Sequence, residues 1–258
     1  MPLIPKLRRR RRDAEGAMTL VEHLEELRKR LIYAFLAIAG GAIVGWFLYN
    51  PVIELLQDPF CATVRQLPEP NRPPSGCKFV FSGATDPVFT KLKVVVFIGL
   101  LVALPIVLYQ LWAFIVPGLT KRERRMAIPF IASSTVLFLL GVVIAYVTLP
   151  KALTFLLGFA GDEFVPLLTA SSFLSFVVLV ALAFGASFEF PIILIFLSLV
   201  GVLSSRKLRD WRRYAIFGIS VFAAVITPSA DPYSMLAMMI PMVLFYEAAI
   251  IVVRLMKH

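Results

Sequence analysis

Charged side chains are scarce in this chain. Lys, Arg, Asp and Glu make up 16% of its 258 residues, while hydrophobic residues make up 59%, and a typical soluble domain has about 25% charged residues. Several apolar runs are long enough to cross a hydrocarbon core of about 30 Å. The apolar runs cover residues 31–49, 94–115, 128–149, 171–202 and 235–253, with a shorter sixth run at 214–226. The composition therefore predicts an all-α, polytopic integral membrane protein with six transmembrane helices.

The signatures of soluble-enzyme catalysis are also missing. The sequence contains no G-x-x-x-x-G-K-[ST] or G-x-G-x-x-G phosphate loop and no H-E-x-x-H zinc motif. Its two histidines, His23 and His258, lie at opposite ends of the chain, and the apolar runs contain no lysine or histidine that could activate a serine. We therefore expect no catalytic residue, no metal site and no cofactor, in a protein that is not an enzyme.

Cysteine is almost absent. Cys61 and Cys77 are the only two, and both fall in the first loop predicted to lie outside the membrane, where conditions favour disulfides. A disulfide between them would stabilise the fold by about 3 kcal/mol in the chain-entropy model. The sequence leaves open the alternative of two unpaired thiols.

The basic residues indicate the orientation of the spans. With six spans and the N-terminus inside, 20 of the 26 Lys and Arg residues lie on the cytoplasmic side, in agreement with the positive-inside bias. Splitting residues 171–202 into a hairpin would move the basic segment 203–213 outside. We therefore predict one long helix that Pro191 kinks, with both termini in the cytoplasm.

The ends of the chain differ from its middle. Residues 1–17 contain a run of arginines and are predicted to form a disordered, basic cytoplasmic arm. Residues 18–258 form the six-span membrane domain. The net charge of +10 needs no nucleic acid, because cytoplasmic lysines and arginines beside membrane spans bind anionic lipid head groups.

Glu189 is the one ionisable residue within the 171–202 run. A carboxylate at bilayer depth costs several kcal/mol unless it faces water, finds a partner or takes up a proton. One interpretation is a protonated carboxyl that bonds a backbone carbonyl freed by Pro191. The other is a polar wall of a concave cavity that faces lipid or water, which makes Glu189 a functional candidate.

Two acidic residues are predicted to lie at the cytoplasmic surface. The segment before the first span has leucines at helical spacing and is expected to lie along the membrane surface, with Glu26 able to pair with Arg30. Glu123 lies in the string TKRERR among four basic residues. The simplest interpretations are a solvated surface pair and a charge-balanced turn; a functional anionic site is the alternative.

Five strings in this chain, taken together and in this order, resemble one family. They are HLEELRKRL before the first span, YQLWAFIVPGLTKRERR at 109–125, FEFP at 188–191, ITP at 226–228 and P-x-x-x-F-Y-E at 241–247. The chain is similar to the TatC subunit of the twin-arginine protein translocase from Met18 onwards. The resemblance implies a concave, glove-shaped bundle in the bacterial cytoplasmic membrane. It also implies that the translocase exports folded proteins using the proton motive force.

The same resemblance implies a signal-peptide receptor. Glu26 and Glu123, with Arg28 and Arg124 beside them, would bind signal peptides that carry paired arginines, because a guanidinium forks onto a carboxylate in a way that lysine cannot copy. Glu189 is the matching intramembrane residue on the cavity wall.

The family also implies partners. These are TatB-type and TatA-type single-span subunits, anionic lipids and further copies within a multi-copy receptor complex, but no nucleic acid. Thr227, Asp231 and Glu247 are candidate contacts for a partner helix. The rival function is a proton- or ion-coupled small-solute secondary transporter with Glu189 as its coupling carboxylate.

Overall fold

The computed structural model describes residues 20–66, 76–115, 127–158, 169–228 and 231–256. Within these residues the regular structure is helical, apart from one isolated parallel bridge between Val80 and Thr169. The predicted all-α fold is confirmed. The arginine-rich arm, the proline-rich segment between the two cysteines, and the loop that carries Glu123 and Arg124 lie outside the described residues.

Eight helices are described. They are α1 (Leu20–Gln66), α2 (Asp86–Ile115), α3 (Ala127–Gly158), α4 (Ala170–Ser187), α5 (Phe190–Leu199), α6 (Ser205–Asp210), α7 (Arg212–Ile226) and α8 (Pro232–Met256). By length and composition five segments can cross a membrane: α1, α2, α3, α4 with α5, and α8. The remaining predicted span, α7, has 15 residues and is therefore only about 22 Å long.

Contacts between helix ends show that the segments alternate in direction. Near the end of α2, the Trp112 ring packs on Phe130 at the start of α3 and on Phe196 in α5, with centroid distances of 4.9 and 5.0 Å. At the opposite face, Phe155 near the end of α3 packs on Tyr233 at the start of α8, at 6.1 Å. With α7 as the fifth pass, the chain crosses six times, and the positive-inside bias assigns the Trp112 side to the cytoplasm.

The first helix is longer than the sequence suggested. Residues 20–30 were expected to lie along the membrane surface, but they are the first turns of one continuous helix of 47 residues. No proline interrupts α1 before Pro51, so the helix can continue without a break from residue 20 into the first span. The first turns of α1 also pack on the end of α2. Its outer end extends past Pro51 to reach α3, where the Tyr146 hydroxyl donates to the Leu55 carbonyl at 3.0 Å.

The fourth span is interrupted just before Pro191, where the sequence predicts a kink. Pro191 has no N–H to donate to the carbonyl of Ser187, so α4 ends at that residue and α5 begins at Phe190. The amide of Ala170 bonds Val80 at the outer side, while Phe196 in α5 lies at the cytoplasmic side. Both helices therefore run in the same direction, and the chain does not form a hairpin here.

Four apolar clusters lie within the described residues, and the two larger ones are the main cores of the bundle. The outer core includes three aromatic rings from α1, the outer loop and α4: Phe60, Phe79 and Phe173, whose centroids lie 5.0 to 5.3 Å apart. The second core surrounds α8, where Met238 and Tyr246 are buried against α4, α5 and α7. These cores fix the helix ends between which the polar residues described below are placed.

The backbones of α1 and α2 touch near the middle of the membrane. A Cβ atom on Gly41 would lie 2.4 Å from the carbonyl oxygen of Gly99, and one on Gly45 would lie 2.6 Å from that of Val95. Any larger residue at these positions would place its Cβ against a backbone carbonyl, so only glycine fits. Small residues are what allow membrane helices to approach each other this closely. This contact fixes the register between the two helices.

We expect Gly41→Ala to destabilise the protein by about 1 to 3 kcal/mol, because the new methyl group must push two backbones apart. Gly40→Ala is the matched control, since a Cβ at Gly40 meets nothing within 4 Å, and it should be neutral or slightly stabilising. Unfolding of the purified protein in detergent measures both. Equal stability of the two variants would contradict the close contact.

Candidate functional site

Glu26 is bonded by Arg30, one turn further along α1. The Nε and Nη2 atoms of Arg30 donate to Oε1 of Glu26 at 3.2 and 2.9 Å, and its Nη1 atom donates to Oε1 of Gln110 on α2 at 3.1 Å. One guanidinium therefore holds the Glu26 carboxylate and ties α1 to α2. The predicted pairing of Glu26 with Arg30 is confirmed.

The Glu26 carboxylate remains partly open to its surroundings. The side chains of Glu26 and Arg30 are 23% and 27% exposed, and Oε2 of Glu26 accepts no hydrogen bond from the described side chains. A cavity of about 370 Å³ lies beside the pair, lined by Glu22, Glu25, Glu26, Lys29, Arg30 and Tyr33. With respect to the described residues, an incoming cation would therefore meet an anionic recess with one carboxylate oxygen available.

A second contact joins α1 to the end of α2. The ring of His23 stacks on Phe114, with centroids 4.4 Å apart and an interplanar angle of 24°. Phe114 lies one residue before the end of α2, so this stack fixes that end beside the first turns of α1. The sequence analysis did not identify His23, Gln110 or Phe114 as site residues. Gln110 could have been found, because it is a polar side chain within the apolar run 94–115.

The other predicted signal-peptide residues are not all described. Arg28 is exposed on α1. Glu123 and Arg124 lie outside the described residues, so their approach to Glu26 stays a prediction. What the structure brings together is Glu26, Arg30 and Gln110.

Glu189 lies at the break between α4 and α5 and is half-buried. Its Oε1 atom is buried without a hydrogen-bond partner among the described residues, and so is the hydroxyl of Ser134 on α3. That hydroxyl is the polar group facing the carboxyl, although the two do not meet in hydrogen-bond geometry. Buried polar atoms in native proteins are nearly always bonded, to protein or to water, so this pair marks a place for a water molecule or a polar partner.

The three candidate partner-helix contacts are engaged within the chain. The Thr227 hydroxyl is buried and donates to Ala223 at 2.6 Å, and Asp231 is fully buried, with Oδ1 accepting from the Ser234 amide at 2.7 Å. Glu247 forms an ion pair with Arg212. A contact with a partner helix at these side chains stays a prediction.

The two cysteines are close but unbonded. Both are free thiols, and Cys61 Sγ lies 3.9 Å from the carbonyl oxygen of Cys77. The structure therefore brings the two residues to the same place at the outer end of α1. A disulfide between them stays a prediction.

Comparisons with known proteins identify the family. Residues 22–241 match the model of the Sec-independent protein translocase protein TatC. The chain belongs to the TatC family. It is 44% identical to TatC of Frankia casuarinae, over 95% of this chain and 68% of that protein, and 40% identical to TatC of Koribacter versatilis, over 92% and 86%. A crystal structure of a twin arginine translocase receptor, TatC, superimposes with a TM-score of 0.69 at 34% identity, covering 92% of this chain and all of that one.

TatC membership settles the class of the protein. The chain is a multi-pass subunit of the twin-arginine protein translocase in the bacterial cytoplasmic membrane, with the six-span bundle of that family. The solute-transporter alternative is not supported. The matched residues include the positions of Glu26, Glu123 and Glu189, so all three acidic candidates lie in the part of the chain that is common to the family.

We expect Glu189 and Ser134 to be energetically coupled through the water or polar group that satisfies them. In a double-mutant cycle, Ser134→Ala and Glu189→Ala should show an interaction free energy of at least about 0.5 kcal/mol. Ser198→Ala is the control, because Ser198 is also buried but lies about 14 Å further along the span. Additive effects on unfolding in both cycles would show that the two buried groups are independent.

Proposed function

We propose that this chain is the signal-peptide receptor and core subunit of its translocase, that it acts without enzymatic chemistry, and that export of the folded cargo draws on the proton motive force. The observation that carries the receptor role is the Glu26 carboxylate, which Arg30 and Gln110 hold in place at the cytoplasmic end of the bundle. Its Oε2 atom accepts no hydrogen bond from the side chains of the described residues.

The geometry supports recognition of arginine in particular. The Glu26 carboxylate accepts two hydrogen bonds from the guanidinium of Arg30. A signal-peptide arginine would donate to Oε2 in the same way, whereas a lysine ammonium offers a single compact charge without the planar fork. Glu123 would take the second arginine of the pair.

The apolar part of the signal peptide would then enter the bundle. The wall that leads inwards from Glu26 is apolar, with a small cavity of about 130 Å³ between α1 and α2 that is lined in part by Leu27, Leu31 and Phe114. Glu189 and Ser134 lie deeper in the bundle. A polar group of the signal peptide would supply the hydrogen bonds that Glu189 Oε1 and the Ser134 hydroxyl lack among the described residues.

Partner subunits of the TatA and TatB types would pack on the last two spans. These spans present large apolar side chains outward, including Phe217 at 71% exposed, Val225 at 75% and Leu244 at 63%. Such faces are satisfied by lipid or by another apolar helix. Several copies of the receptor and anionic lipids complete the proposed complex.

Glu26→Lys and Glu123→Lys should each abolish crosslinking of a twin-arginine leader peptide, because each replaces a carboxylate with a repelling cation. Site-specific photocrosslinking with the purified protein measures this. Glu54→Lys makes the same charge change at the outer end of α1 and should leave crosslinking intact. The assignment fails if both cytoplasmic variants crosslink as well as the original protein while keeping its melting temperature.

Gln110→Leu should weaken leader-peptide binding about three- to tenfold, because Arg30 loses the partner that positions it beside Glu26, and a tenfold change corresponds to about 1.4 kcal/mol. Gln57→Leu, the same replacement at the outer end of α1, is the control. A positioning role further requires that Gln110→Leu cause no additional loss when Glu26 is already Gln. An equal loss in both backgrounds would argue against it.

A further inference from the structure

A separate cavity lies in the outer half of the bundle, far from Glu26. It has a volume of about 260 Å³ and lies between α2, α3 and α4, under the part of α1 that follows Pro51. Its lining is apolar, with Phe97, Leu101, Val142, Val177 and Ala181 among the residues. The one polar side chain in that lining, Tyr146, uses its hydroxyl to bond Leu55. Apolar cavities of this kind exclude water and accept apolar ligands.

Lys93 lies at the outer end of this cavity. It precedes Phe97 by one turn of α2, and its ammonium donates to the hydroxyl of Ser175 on α4, two residues before Val177. Because α2 and α4 both run inwards from the outer side, Lys93 and Ser175 lie just outside the apolar lining. Lys93 is exposed, and neither ion pair among the described residues includes it.

The neighbouring lysine faces a different environment. The ammonium of Lys91 lies 3.9 Å from the ring centroid of Trp46 and 5.1 Å from that of Tyr49, both on α1. Lys91 therefore has aromatic partners for its charge, and residues two apart on a helix point to opposite faces. Of these two lysines at the outer interface, Lys93 is the one beside the apolar cavity, and its described partner is a neutral hydroxyl.

We propose that this cavity binds an acyl chain of an anionic phospholipid from the outer leaflet, whose phosphate is held by Lys93 and Ser175. The ammonium lies where a membrane lysine meets lipid head groups, and the apolar lining begins one turn below it. The occupant must be thin, because the contact between Lys93 and Ser175 joins α2 to α4 at this level. A helix about 10 Å wide is too bulky for a cavity of about 260 Å³, so a single hydrocarbon chain is the better match.

The site has a structural consequence. An acyl chain in the cavity would contact α2, α3 and α4. It would also pack against the residues of α1 that cover the cavity, and so would stabilise the position of this part of α1. The bound lipid would thus belong to the outer end of the receptor, while the proposed arginine site lies at its cytoplasmic end. The two proposals are independent and fail separately.

The test uses the full chain reconstituted in phosphatidylcholine vesicles that contain phosphatidylglycerol with a photoactivatable diazirine in its acyl chain. After irradiation and digestion, mass spectrometry maps the labelled residues. We expect labelling of α2 and α4 around Phe97 and Val177. Lys93→Ala should reduce it at least fivefold, Lys93→Arg should retain it, and Lys91→Ala, at the same depth on the opposite face, should leave it unchanged.

Two further measurements separate the possible occupants. A phosphatidylcholine probe with the same diazirine should label the cavity at least fivefold less, because its head group carries no net charge. Ala181→Leu should reduce labelling by filling the cavity; if its melting curve shows that it does not fold, the Lys93→Ala and Lys91→Ala comparison decides alone. Equal labelling by both probes, or labelling unchanged in Lys93→Ala, would overturn the proposal. Labelling by an apolar leader peptide that excludes the lipid from the cavity would also overturn it.

Discussion

The arrangement of the cytoplasmic site depends on the point where the backbones of α1 and α2 touch. Gly41 meets Gly99 there, and from this point Arg30 lies 11 residues back along α1 while Gln110 lies 11 residues forward along α2. In two antiparallel helices these equal separations, about 17 Å each, bring the guanidinium and the amide to the same level, where they bond at 3.1 Å. A shift of one helix past the other would break this bond and move the Glu26 carboxylate. Packing between small residues deep in the membrane is therefore what aligns the charged groups at its surface.

Within the apolar bundle, the polar side chains are mostly satisfied locally. The hydroxyls of Thr63, Ser220 and Thr227 donate to carbonyls one turn back on their own helices, and Tyr246 donates to Leu208 at 2.6 Å. Such local bonds let an apolar segment carry hydroxyl groups without a partner from another chain. Among the described residues, three buried side-chain oxygens have no hydrogen-bond partner: those of Thr90, Ser134 and Glu189. Glu189 is the one that carries a carboxyl group, and the Ser134 hydroxyl faces it. The intramembrane site is thus distinguished by a missing bond, whereas the cytoplasmic site is distinguished by bonds that are already made.

Features that depend on neighbouring residues in the chain can be predicted from the sequence. Hydropathy locates the spans, Pro191 marks the break in the fourth span, and the spacing of Glu26 and Arg30 predicts their ion pair. Helix ends were predicted less well, because a helix continues into water wherever no residue stops it, as α1 does for 47 residues. Contacts between distant segments could not be predicted: Gln110 meets Arg30 across 80 residues and Glu247 meets Arg212 across 35. Those pairs depend on helix register, which one sequence does not reveal.

The short helix α7 is held at both ends. At its cytoplasmic start Arg212 forms an ion pair with Glu247, and at its outer end Thr227 is buried. The ion pair ties the start of α7 to α8. At 15 residues, α7 is about 22 Å long, whereas the hydrocarbon core is about 30 Å thick. The preceding helix α6 cannot make up the difference, since its three basic residues would enter hydrocarbon at a high cost. We therefore expect the lipid to thin locally around this span, which is one of the ways in which a bilayer accommodates a helix that is too short.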